Sequence, residues 1–294
     1  MLATIYWLPI HPSSFRLHPS LCGAMSEQKT GAGGRKMTAL VTGASGGIGL
    51  ELARLFAADG HDLVLVARSK DKLAGLAAEL RERHKVGARV LAADLARAEA
   101  PREIFEGLRT DGVAVDALVN NAGVGSYGLF AETDLRAELD LLQINVVALT
   151  HLTKLFLPAM LARRRGYVLN VASTAAFQPG PLMAVYYASK AYVLHLSEAL
   201  SNETRGTGVT VTALCPGPTE TGFVAAAGMS ESKLFDANVM DARAVAADGY
   251  RGMLAGKAIV IPGVRNRLLA GSYRLAPRGL ITRVVRGIQE RRNH

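Results

Sequence analysis

The sequence predicts an α/β protein: a doubly wound parallel sheet in a single domain, followed by a helical C-terminal extension. From Met37 onward, short apolar runs alternate with longer amphipathic stretches, which is typical of strands and helices taking turns. The runs at 63–67 and 116–120 are nearly continuously apolar, as expected for strands covered by helices on both faces. A glycine-rich turn joins the first run to the first amphipathic stretch.

The predicted elements follow that alternation in order. Strands are predicted near 38–42, 62–67, 89–93, 115–119, 166–172, 209–214 and 257–261. Helices are predicted near 47–59, 70–84, 99–109, 134–164 with a break, 186–205 and 241–254. Neither an internal repeat nor a shift in composition occurs between residues 37 and 263, so we expect these residues to form one domain.

Residues 1–36 differ in pattern from everything after them. Prolines interrupt their short apolar run, and no basic residue precedes that run, so a cleaved signal peptide is not predicted. We expect a disordered extension, or an overlong start with Met25 or Met37 as the true initiator. The two cysteines, Cys22 and Cys215, form neither a disulfide framework nor a zinc motif.

The formal net charge of +9 belongs to the ends of the chain. Residues 265–294 carry eight arginines against Glu290, a sum of +7, and residues 1–36 sum to +3, which leaves −1 for residues 37–264. A balanced body excludes a nucleic-acid-binding fold as the reason for the basic pI. No run of eighteen apolar residues is free of charge and proline, so a membrane-spanning helix is not predicted either.

The C-terminal extension, residues 264–294, contains an amphipathic segment after Pro277. Its apolar residues share one helical face, with Arg283 and Arg286 opposite them: Leu280, Ile281, Val284, Val285 and Ile288. Packing against the domain or a neighbouring subunit is the preferred interpretation, because amphipathic helices usually bury their apolar face in protein. Peripheral docking on anionic lipid is the alternative.

The first strand ends in a glycine-rich turn, residues 42–49, with the sequence Thr-Gly-Ala-Ser-Gly-Gly-Ile-Gly. Gly43 permits the tight turn, Gly47 lets the backbone approach a pyrophosphate, and Gly49 allows close helix packing. Free N–H groups at the start of the following helix attract an anion. The turn therefore predicts a dinucleotide site, although such short motifs also occur in turns without a ligand.

The end of the second strand predicts which nicotinamide cofactor binds. A carboxylate there would bind the ribose 2'-hydroxyl of NAD, but the sequence places Arg68 there instead. A guanidinium can pair with a 2'-phosphate in a bidentate fashion, so NADP(H) is favoured over NAD(H). The alternative is a solvated arginine at the start of the next helix.

Tyr186 and Lys190 lie four residues apart in a predicted helix, and Ser173 ends the preceding strand. Residues at this spacing share one helical face, and a nearby ammonium would stabilise a phenolate. The pattern predicts an acid/base tyrosine whose pKa is lowered by Lys190, since a phenol of pKa about 10 is a poor base near neutrality. By pattern alone, a packed aromatic with a snorkelling lysine is the more frequent arrangement.

Together these residues resemble the short-chain dehydrogenase/reductase family, which has a Rossmann-type fold, over residues 38–263. The family's glycine motif matches Thr42, Gly43, Gly47 and Gly49, and its Asn-Asn-Ala-Gly motif matches Asn120 to Gly123. Its active-site tetrad matches Asn145, Ser173, Tyr186 and Lys190, and its Pro-Gly segment matches Pro216 and Gly217, with Thr219 and Thr221 following. No core motif of the family is missing.

The resemblance implies a role for each matched residue. Tyr186 would exchange the proton, Ser173 would hold the carbonyl oxygen, Lys190 would bind the nicotinamide ribose, and Asn145 would hold a water that links Lys190 to solvent. The implied cofactor-binding residues are Thr42, Gly43, Ser45, Gly47, Ile48, Gly49, Arg68, Asp94, Asn120, Ala122, Gly123, Tyr186, Lys190, Pro216, Gly217, Thr219 and Thr221, with Asp94 at the adenine. No metal is implied.

The predicted function is hydride transfer between NADP(H) and a lipophilic ketone, aldehyde or secondary alcohol. The candidate pocket walls are 124–130, 177–183 and a lid-like segment at 223–240 that includes Met229, Leu234 and Phe235, and all are largely apolar. The rival hypothesis is a catalytically silent dinucleotide sensor on the same fold. We expect a cytoplasmic homodimer or homotetramer, at a membrane surface if the lipid alternative holds, with a small-molecule substrate and no nucleic-acid partner.

Overall fold

The computed structural model describes residues 36–223, 239–273 and 277–290. The predicted extension before Lys36, including Cys22, lies outside the described residues. So do Met229, Leu234 and Phe235 of the predicted lid-like segment.

Seven parallel strands form one sheet, as the sequence predicts. They are β1 (Thr38–Thr42), β2 (Asp62–Ala67), β3 (Ala88–Ala92), β4 (Ala117–Asn120), β5 (Gly166–Val171), β6 (Val209–Leu214) and β7 (Ile259–Val260). Their order across the sheet is β3-β2-β1-β4-β5-β6-β7. The order reverses between β1 and β4, so the carboxyl ends of these two strands flank the crevice where such sheets bind ligands.

Helices connect the strands on both faces of the sheet. They are α1 (Gly47–Ala58), α2 (Lys70–His84), α3 (Ala100–Thr110), α4 (Leu135–Leu142), α5 (Leu149–Ala162), α6 (Ala184–Glu203) and α7 (Ala242–Leu254). The extension adds α8 (Val264–Ser272) and α9 (Arg278–Gln289). The doubly wound α/β fold with C-terminal helices is therefore confirmed.

The core lies in two layers, because the side chains of each strand alternate between the two faces of the sheet. From β1, Ala39 and Val41 pack with α1, α2 and α7, whereas Leu40 packs on the opposite face with α3 and α5. Each of these three side chains is fully buried. Burial on both faces explains why the strand sequences are almost continuously apolar.

The break predicted within 134–164 is not present: a π-helical turn, Gln143–Ala148, joins α4 to α5, and the helix continues through it. Such turns occur often at functional sites, because the extra residue redirects a side chain. Here the turn contains Asn145, which is 1% exposed. Asp134 caps the start of α4 by accepting a 2.8 Å hydrogen bond from the Ala137 amide.

The combined helix Leu135–Ala162 could cross a membrane by length and composition alone. The sequence criterion excluded such a helix because Lys154 and Pro158 interrupt its apolar run. Leu152, Phe156 and Met160 are buried in the core between α5 and the sheet. A core helix needs an apolar face for this packing, which accounts for its hydropathy.

The extension packs on the domain, in line with the preferred interpretation of the sequence, but only part of its apolar face does so. Ile281 and Val285 of α9 are buried against Ala175, Met183 and Tyr187. The other three apolar residues predicted on that face remain 44–54% exposed: Leu280, Val284 and Ile288.

Candidate active site

The glycine turn has the backbone geometry that the sequence predicts. Gly43 and Gly47 have φ values of +67° and +55°, which residues with a side chain rarely adopt. A Cβ atom on Gly43 would lie 2.7 Å from Asn121 Nδ2, and one on Gly49 would lie 2.4 Å from the Gly43 carbonyl oxygen. The glycines are therefore required both for the turn and for the close approach of α1 to the strand ends.

The turn opens into a cavity of about 800 Å³ at the carboxyl ends of the strands. Gly46, the residue before α1, provides no side-chain cap, so the first N–H groups of α1 have no side-chain acceptor at that position. Ser45, Gly47 and Ile48 line the cavity beside it. A helix N-terminus in this setting is suited to a pyrophosphate, so the residues present fit a dinucleotide.

Thr42 supports the turn from outside the cavity. Its side chain is buried, and its hydroxyl donates to the Val119 carbonyl oxygen and accepts from the amides of Asn121 and Ala122, each at 3.0–3.2 Å. The sequence places Thr42 among the cofactor-binding residues. The structure gives it the task of tying the end of β1 to the end of β4.

The ends of β2 and β3 form the part of the cavity where the sequence places the adenine ribose. Arg68 lines it with an exposed side chain, and within the described residues it has no ion-pair partner. Lys72, one turn into α2, lines the same region and was not predicted. Asp94 lies opposite, where its carboxylate accepts a 3.0 Å hydrogen bond from the Ala96 amide. Two cations lie in this part of the cavity, and its one carboxylate already accepts a hydrogen bond from the backbone. The region therefore favours a phosphate.

Ser173 and Tyr186 meet on the wall of this cavity, beyond the end of β5. The Ser173 side chain lies close enough to the Tyr186 hydroxyl to lower the pKa of that phenol, and Ser173 Oγ donates a 3.4 Å hydrogen bond to the Pro216 carbonyl oxygen. Ser173 Oγ is held by the Ala175 amide, which donates to it at 3.1 Å. Tyr186 packs against Phe223, with ring centres 5.3 Å apart. Two hydroxyl groups therefore face the position where a substrate oxygen would bind.

Lys190 lies one turn after Tyr186 on α6, as predicted, and its ammonium contacts the end of β5. Its Nζ atom donates a 2.8 Å hydrogen bond to the Val171 carbonyl oxygen and lies 5.8 Å from the centre of the Tyr186 ring. The side chain is 5% exposed. The ammonium is thus fixed at the end of β5, below the ring.

Burial dominates the protonation of both groups. It raises the pKa of Tyr186 to about 12, against a smaller lowering by the Ser173 hydrogen bond. It lowers the pKa of Lys190 to about 8, against a smaller raising by Cys215. The sequence-based expectation that Lys190 lowers the pKa of Tyr186 is thus wrong for the protein alone, because burial disfavours the charge on both residues.

Asn145 is held in place by the backbone of Val124, which follows β4. Its Nδ2 donates to the Val124 carbonyl oxygen at 2.9 Å, and its Oδ1 accepts from the Val124 amide at 3.0 Å. A Cβ atom on Gly123 would lie 3.2 Å from Asn145 Oδ1 and 3.4 Å from Lys190 Nζ. Gly123 therefore keeps open the space between Asn145 and Lys190, although Asn145 does not line the main cavity.

Asn120 lies away from the cavity. Its buried Nδ2 donates to Asn170 Oδ1 at 2.8 Å and to Thr153 Oγ1 at 3.0 Å. This hydrogen-bonded group links β4, β5 and α5 behind the sheet edge. The predicted cofactor residue of the motif is thus placed in a structural network, whereas its neighbours Ala122 and Gly123 line the cavity.

The segment after β6 closes the opposite side of the glycine turn. Its members on the cavity wall are Pro216, Gly217, Thr219 and Thr221. A Cβ atom on Gly47 would lie 2.8 Å from the Thr221 methyl group, so the segment contacts the turn directly. Thr219 Oγ1 donates a 2.9 Å hydrogen bond to the Gly217 carbonyl oxygen, which stiffens the segment.

The sequence analysis did not foresee that the C-terminal extension builds part of this cavity. The lining residues from α8, α9 and the residue after α8 are Arg265, Asn266, Leu269, Ala270, Tyr273, Val285, Ile288 and Gln289. Tyr127 donates a 2.6 Å hydrogen bond to the Gln289 carbonyl oxygen, and Gln289 Nε2 donates to the Tyr187 hydroxyl. The sequence did contain one signal for this contact: Gln289 is a polar residue that continues the i, i+4 spacing of Ile281 and Val285.

Of the predicted pocket walls, the described parts contribute Val124, Gln178, Met183 and Phe223 to the cavity. Among the described residues, no group of three or more His, Cys, Asp or Glu side chains is arranged to hold a metal. The site as built can therefore anchor a pyrophosphate, pair with a further phosphate, and present two hydroxyl groups above a buried lysine.

Comparison with known proteins links this arrangement to characterised chains. The short chain dehydrogenase family model matches residues 37–232. The very-long-chain 3-oxoacyl-CoA reductase of Phaeosphaeria nodorum is 37% identical over 206 residues, which cover 68% of this chain and 60% of that protein. Its namesake in Anas platyrhynchos is 36% identical over 67% of this chain and 66% of that protein. The chain thus spans about 60–66% of the length of these relatives.

Solved structures match more completely. A short-chain dehydrogenase from Sphingobium yanoikuyae in complex with NADPH superposes with a TM-score of 0.74 at 34% identity, covering 81% of this chain and 94% of that chain. The bulky-bulky ketone specific alcohol dehydrogenase from Comamonas testosteroni superposes with a TM-score of 0.70 at 32% identity, covering 83% and 93%. The residues that the family model matches, 37–232, include β1 to β6, the glycine turn and Tyr186.

Proposed function

The chain belongs to the short-chain dehydrogenase/reductase family, and on that premise we propose that it is an NADP(H)-dependent reductase of lipophilic ketones. The observation that carries the proposal is that Ser173 and Tyr186 lie on the wall of the same cavity that the glycine turn lines. A dinucleotide bound at the turn would share that cavity with the substrate.

When bound, the nicotinamide supplies or accepts a hydride, and the protein's residues manage the proton and the charge. Ser173 holds the substrate oxygen and stabilises the negative charge that develops on it. Tyr186 donates its hydroxyl proton to that oxygen. The raised pKa of Tyr186 keeps this hydroxyl protonated at neutral pH, as a proton donor in carbonyl reduction must be.

Lys190 supports this step from below the ring. Its ammonium, fixed by the Val171 carbonyl oxygen, is available to the hydroxyl groups of a ribose and to a proton path along the space beside Gly123. Asn145 Oδ1 borders the same space. We therefore keep the predicted roles of Lys190 in ribose binding and of Asn145 in proton resupply as part of the proposal.

The choice of NADP(H) rests on charge. Arg68 and Lys72 lie at the cavity wall where a 2'-phosphate would bind, and Ala67, which ends β2, leaves no carboxylate there. The NADPH complex of the Sphingobium relative supports the same assignment. A carboxylate at the strand end, as NAD-specific sites use, would repel that phosphate.

The substrate class follows from the cavity wall beside Tyr186. Met183, Phe223, Leu269 and Val285 line it with apolar surface. Two comparisons point the same way, since one relative is named for bulky ketones and others for 3-oxoacyl thioesters with very long chains. We infer that the substrate carries its carbonyl on a bulky or long apolar body, and that 3-oxoacyl thioesters belong among the first candidates.

The predicted homodimer or homotetramer and the cytoplasmic location remain part of the proposal. Exposed apolar side chains along the α4–α5 helix offer a surface for a second copy: Leu135, Leu139 and Val147 are 71%, 53% and 47% exposed. Sedimentation velocity of the purified chain would test the oligomer, because a monomer at all concentrations contradicts it.

The central experiment measures NADPH oxidation by the purified chain at 340 nm with aliphatic, aromatic and steroid ketones and a 3-oxoacyl thioester. We expect turnover with bulky apolar ketones and little with polar sugars, and we expect NADPH to be preferred over NADH. Tight NADPH binding without turnover of any substrate would instead support the rival hypothesis of a dinucleotide sensor. Failure to bind either cofactor would contradict both.

A further inference from the structure

The C-terminal helix α9 has two parallel apolar stripes, and only one of them packs on the domain. Ile281 and Val285 are 7% and 3% exposed. Leu280, Val284 and Ile288 lie four residues apart on the adjacent strip of the helix and are 54%, 51% and 44% exposed. Three of the five apolar residues of this helix are therefore left exposed by the described part of the chain.

Arginines border that exposed stripe. At 100° per residue, Arg283 lies about 60° from Leu280 on the side away from the domain, and Arg286 lies beyond it. Both side chains are exposed. A helix that presents an apolar stripe flanked by arginines has the composition of helices that lie in the interface of a bilayer.

The preceding helix repeats this arrangement. Val264 and Leu268 of α8 are each 69% exposed and lie on one face. Arg265 and Arg267 lie on either side of them and are exposed. Two successive helices thus combine exposed apolar side chains with flanking cations. Apolar residues scattered singly over a protein surface are ordinary, whereas a grouped set of this kind marks an interaction site.

Both helices lie at the rim of the cavity. Leu269 of α8 and Ile288 of α9 line the cavity and are still 43% and 44% exposed, so each reaches from the interior to the surface. Ile288 therefore belongs both to the exposed stripe of α9 and to the wall of the site.

We propose that α8 and α9 dock the protein on a membrane surface that contains anionic lipid, with the cavity mouth at the lipid. The positive charge of this face favours anionic lipid over a second copy of the chain as the partner. Glu290 is the only acid in residues 264–294, and it lies 3.5 Å from Arg286, whereas Arg265, Arg267 and Arg283 have no ion-pair partner among the described residues. A second copy placed on this face would bring the same arginines together, which costs energy. Anionic headgroups would neutralise them.

The experiment measures partition of the full chain onto vesicles by flotation, without cofactor or substrate, so the result does not depend on the proposed activity. Vesicles of pure phosphatidylcholine are compared with vesicles that contain phosphatidylserine. We expect binding to the anionic vesicles, weaker binding in high salt because exposed charges are screened, and little binding to the neutral ones.

Two double variants test the residues. Arg283→Gln/Arg286→Gln should lower the partition coefficient by about 25-fold, since each arginine near an anionic surface contributes about fivefold. Leu280→Ser/Val284→Ser should lower it by about tenfold or more. The matched control, Arg102→Gln/Arg205→Gln, removes the same charge from exposed positions elsewhere and should leave partition within about twofold.

Three outcomes would overturn the proposal. The first is equal partition onto neutral and anionic vesicles, and the second is unchanged partition of both test variants. The third is a dimer in sedimentation velocity that Leu280→Ser/Val284→Ser dissociates, since a second copy would then cover the stripe. Circular dichroism and melting temperature of each variant establish that it is folded before partition is measured.

Discussion

Lys190 Nζ lies 5.8 Å from the centre of the Tyr186 ring and donates a 2.8 Å hydrogen bond to the Val171 carbonyl oxygen. The Ser173 side chain lowers the pKa of the Tyr186 phenol, but by less than burial raises it. Burial is the largest influence on both groups, since it raises the pKa of Tyr186 and lowers the pKa of Lys190. The hydroxyl of Tyr186 and the ammonium of Lys190 can therefore be tested by separate substitutions.

Tyr186→Phe should abolish turnover and leave NADPH affinity nearly unchanged, because only the proton-donating hydroxyl is lost. The expected fall in kcat is about 10²-fold to 10⁴-fold. Tyr192→Phe is the matched control, since Tyr192 is on the same helix, 40% exposed, with its hydroxyl paired to Thr150. Steady-state kinetics and fluorescence titration of NADPH check both variants. Substantial activity in Tyr186→Phe would remove this residue from the mechanism.

Lys190 should make stability depend on pH. Its pKa is about 8 in the folded protein and near 10.5 when unfolded, so between these values the unfolded state binds more protons and stability rises with pH. Between pH 7 and pH 9.5, the free energy of unfolding of the wild type, measured with urea, should rise by roughly 2 kcal/mol relative to that of Lys190→Met. Lys154→Met, at an exposed position, should show no such difference.

If the difference in free energy of unfolding between the wild type and Lys190→Met does not change with pH, the ammonium keeps an ordinary pKa. The same variant should also weaken NADPH binding and slow turnover, because ribose binding and proton supply share one group. Unchanged NADPH affinity in Lys190→Met would count against the ribose contact.

Arg68→Ala should weaken NADPH by about tenfold to somewhat over a hundredfold and leave NADH nearly unaffected. A charge-assisted hydrogen bond to phosphate contributes roughly 1.5 to 3 kcal/mol, and only NADPH carries that phosphate. Adding Ala67→Asp should turn the preference toward NADH by repulsion and by offering the ribose an acceptor. Dissociation constants at low and high salt measure this, with Arg102→Ala as the control.

Equal weakening of both cofactors by Arg68→Ala, or a wild type that prefers NADH, would contradict the assignment of the strand end. Lys72 and Ser45 also line the cavity. If they bind the 2'-phosphate together with Arg68, Arg68→Ala will weaken NADPH by a smaller factor, but it will still weaken it.

Gly43→Ala should disrupt cofactor binding and lower the melting temperature. A side chain is strained at φ +67°, and its Cβ would lie 2.7 Å from Asn121 Nδ2 and 3.0 Å from Ala122 Cα. Gly75→Ala provides the contrast, because Gly75 is inside α2 with nothing within 4 Å of its Cβ position. That variant should stabilise by up to about 1 kcal/mol. Thermal unfolding that shows Gly43→Ala as stable as Gly75→Ala would contradict the geometry of the turn.

Gln289→Leu should loosen α9 and affect substrate binding more than catalysis. It removes the hydrogen bond to the Tyr187 hydroxyl, which contributes about 1 kcal/mol. We expect a lower melting temperature and a several-fold higher KM for a bulky ketone, with a smaller change in kcat. Glu290→Gln, which breaks only an exposed 3.5 Å ion pair with Arg286, is the control. An unchanged KM in Gln289→Leu would show that α9 does not shape the substrate pocket.

Local pattern was sufficient to predict the order of elements, the glycine turn and the shared face of Tyr186 and Lys190. Strands and helices leave periodic signals within a few residues, and the turn requires glycine at particular φ values that no distant contact changes. The boundaries of β2, α2 and β6 match the prediction at both ends. The family itself followed from such local motifs taken in order.

Tertiary structure alone decided which faces are covered and where the charges lie. The sequence grouped five apolar residues on one face of α9, but the shape of the domain buries Ile281 and Val285 and leaves Leu280, Val284 and Ile288 exposed. Tyr127 and Gln289 meet although they are 162 residues apart, so no local pattern could place the extension at the cavity. The pKa of Lys190 likewise depends on burial by distant elements, because desolvation is a property of the packed surroundings and not of the helix that carries the residue.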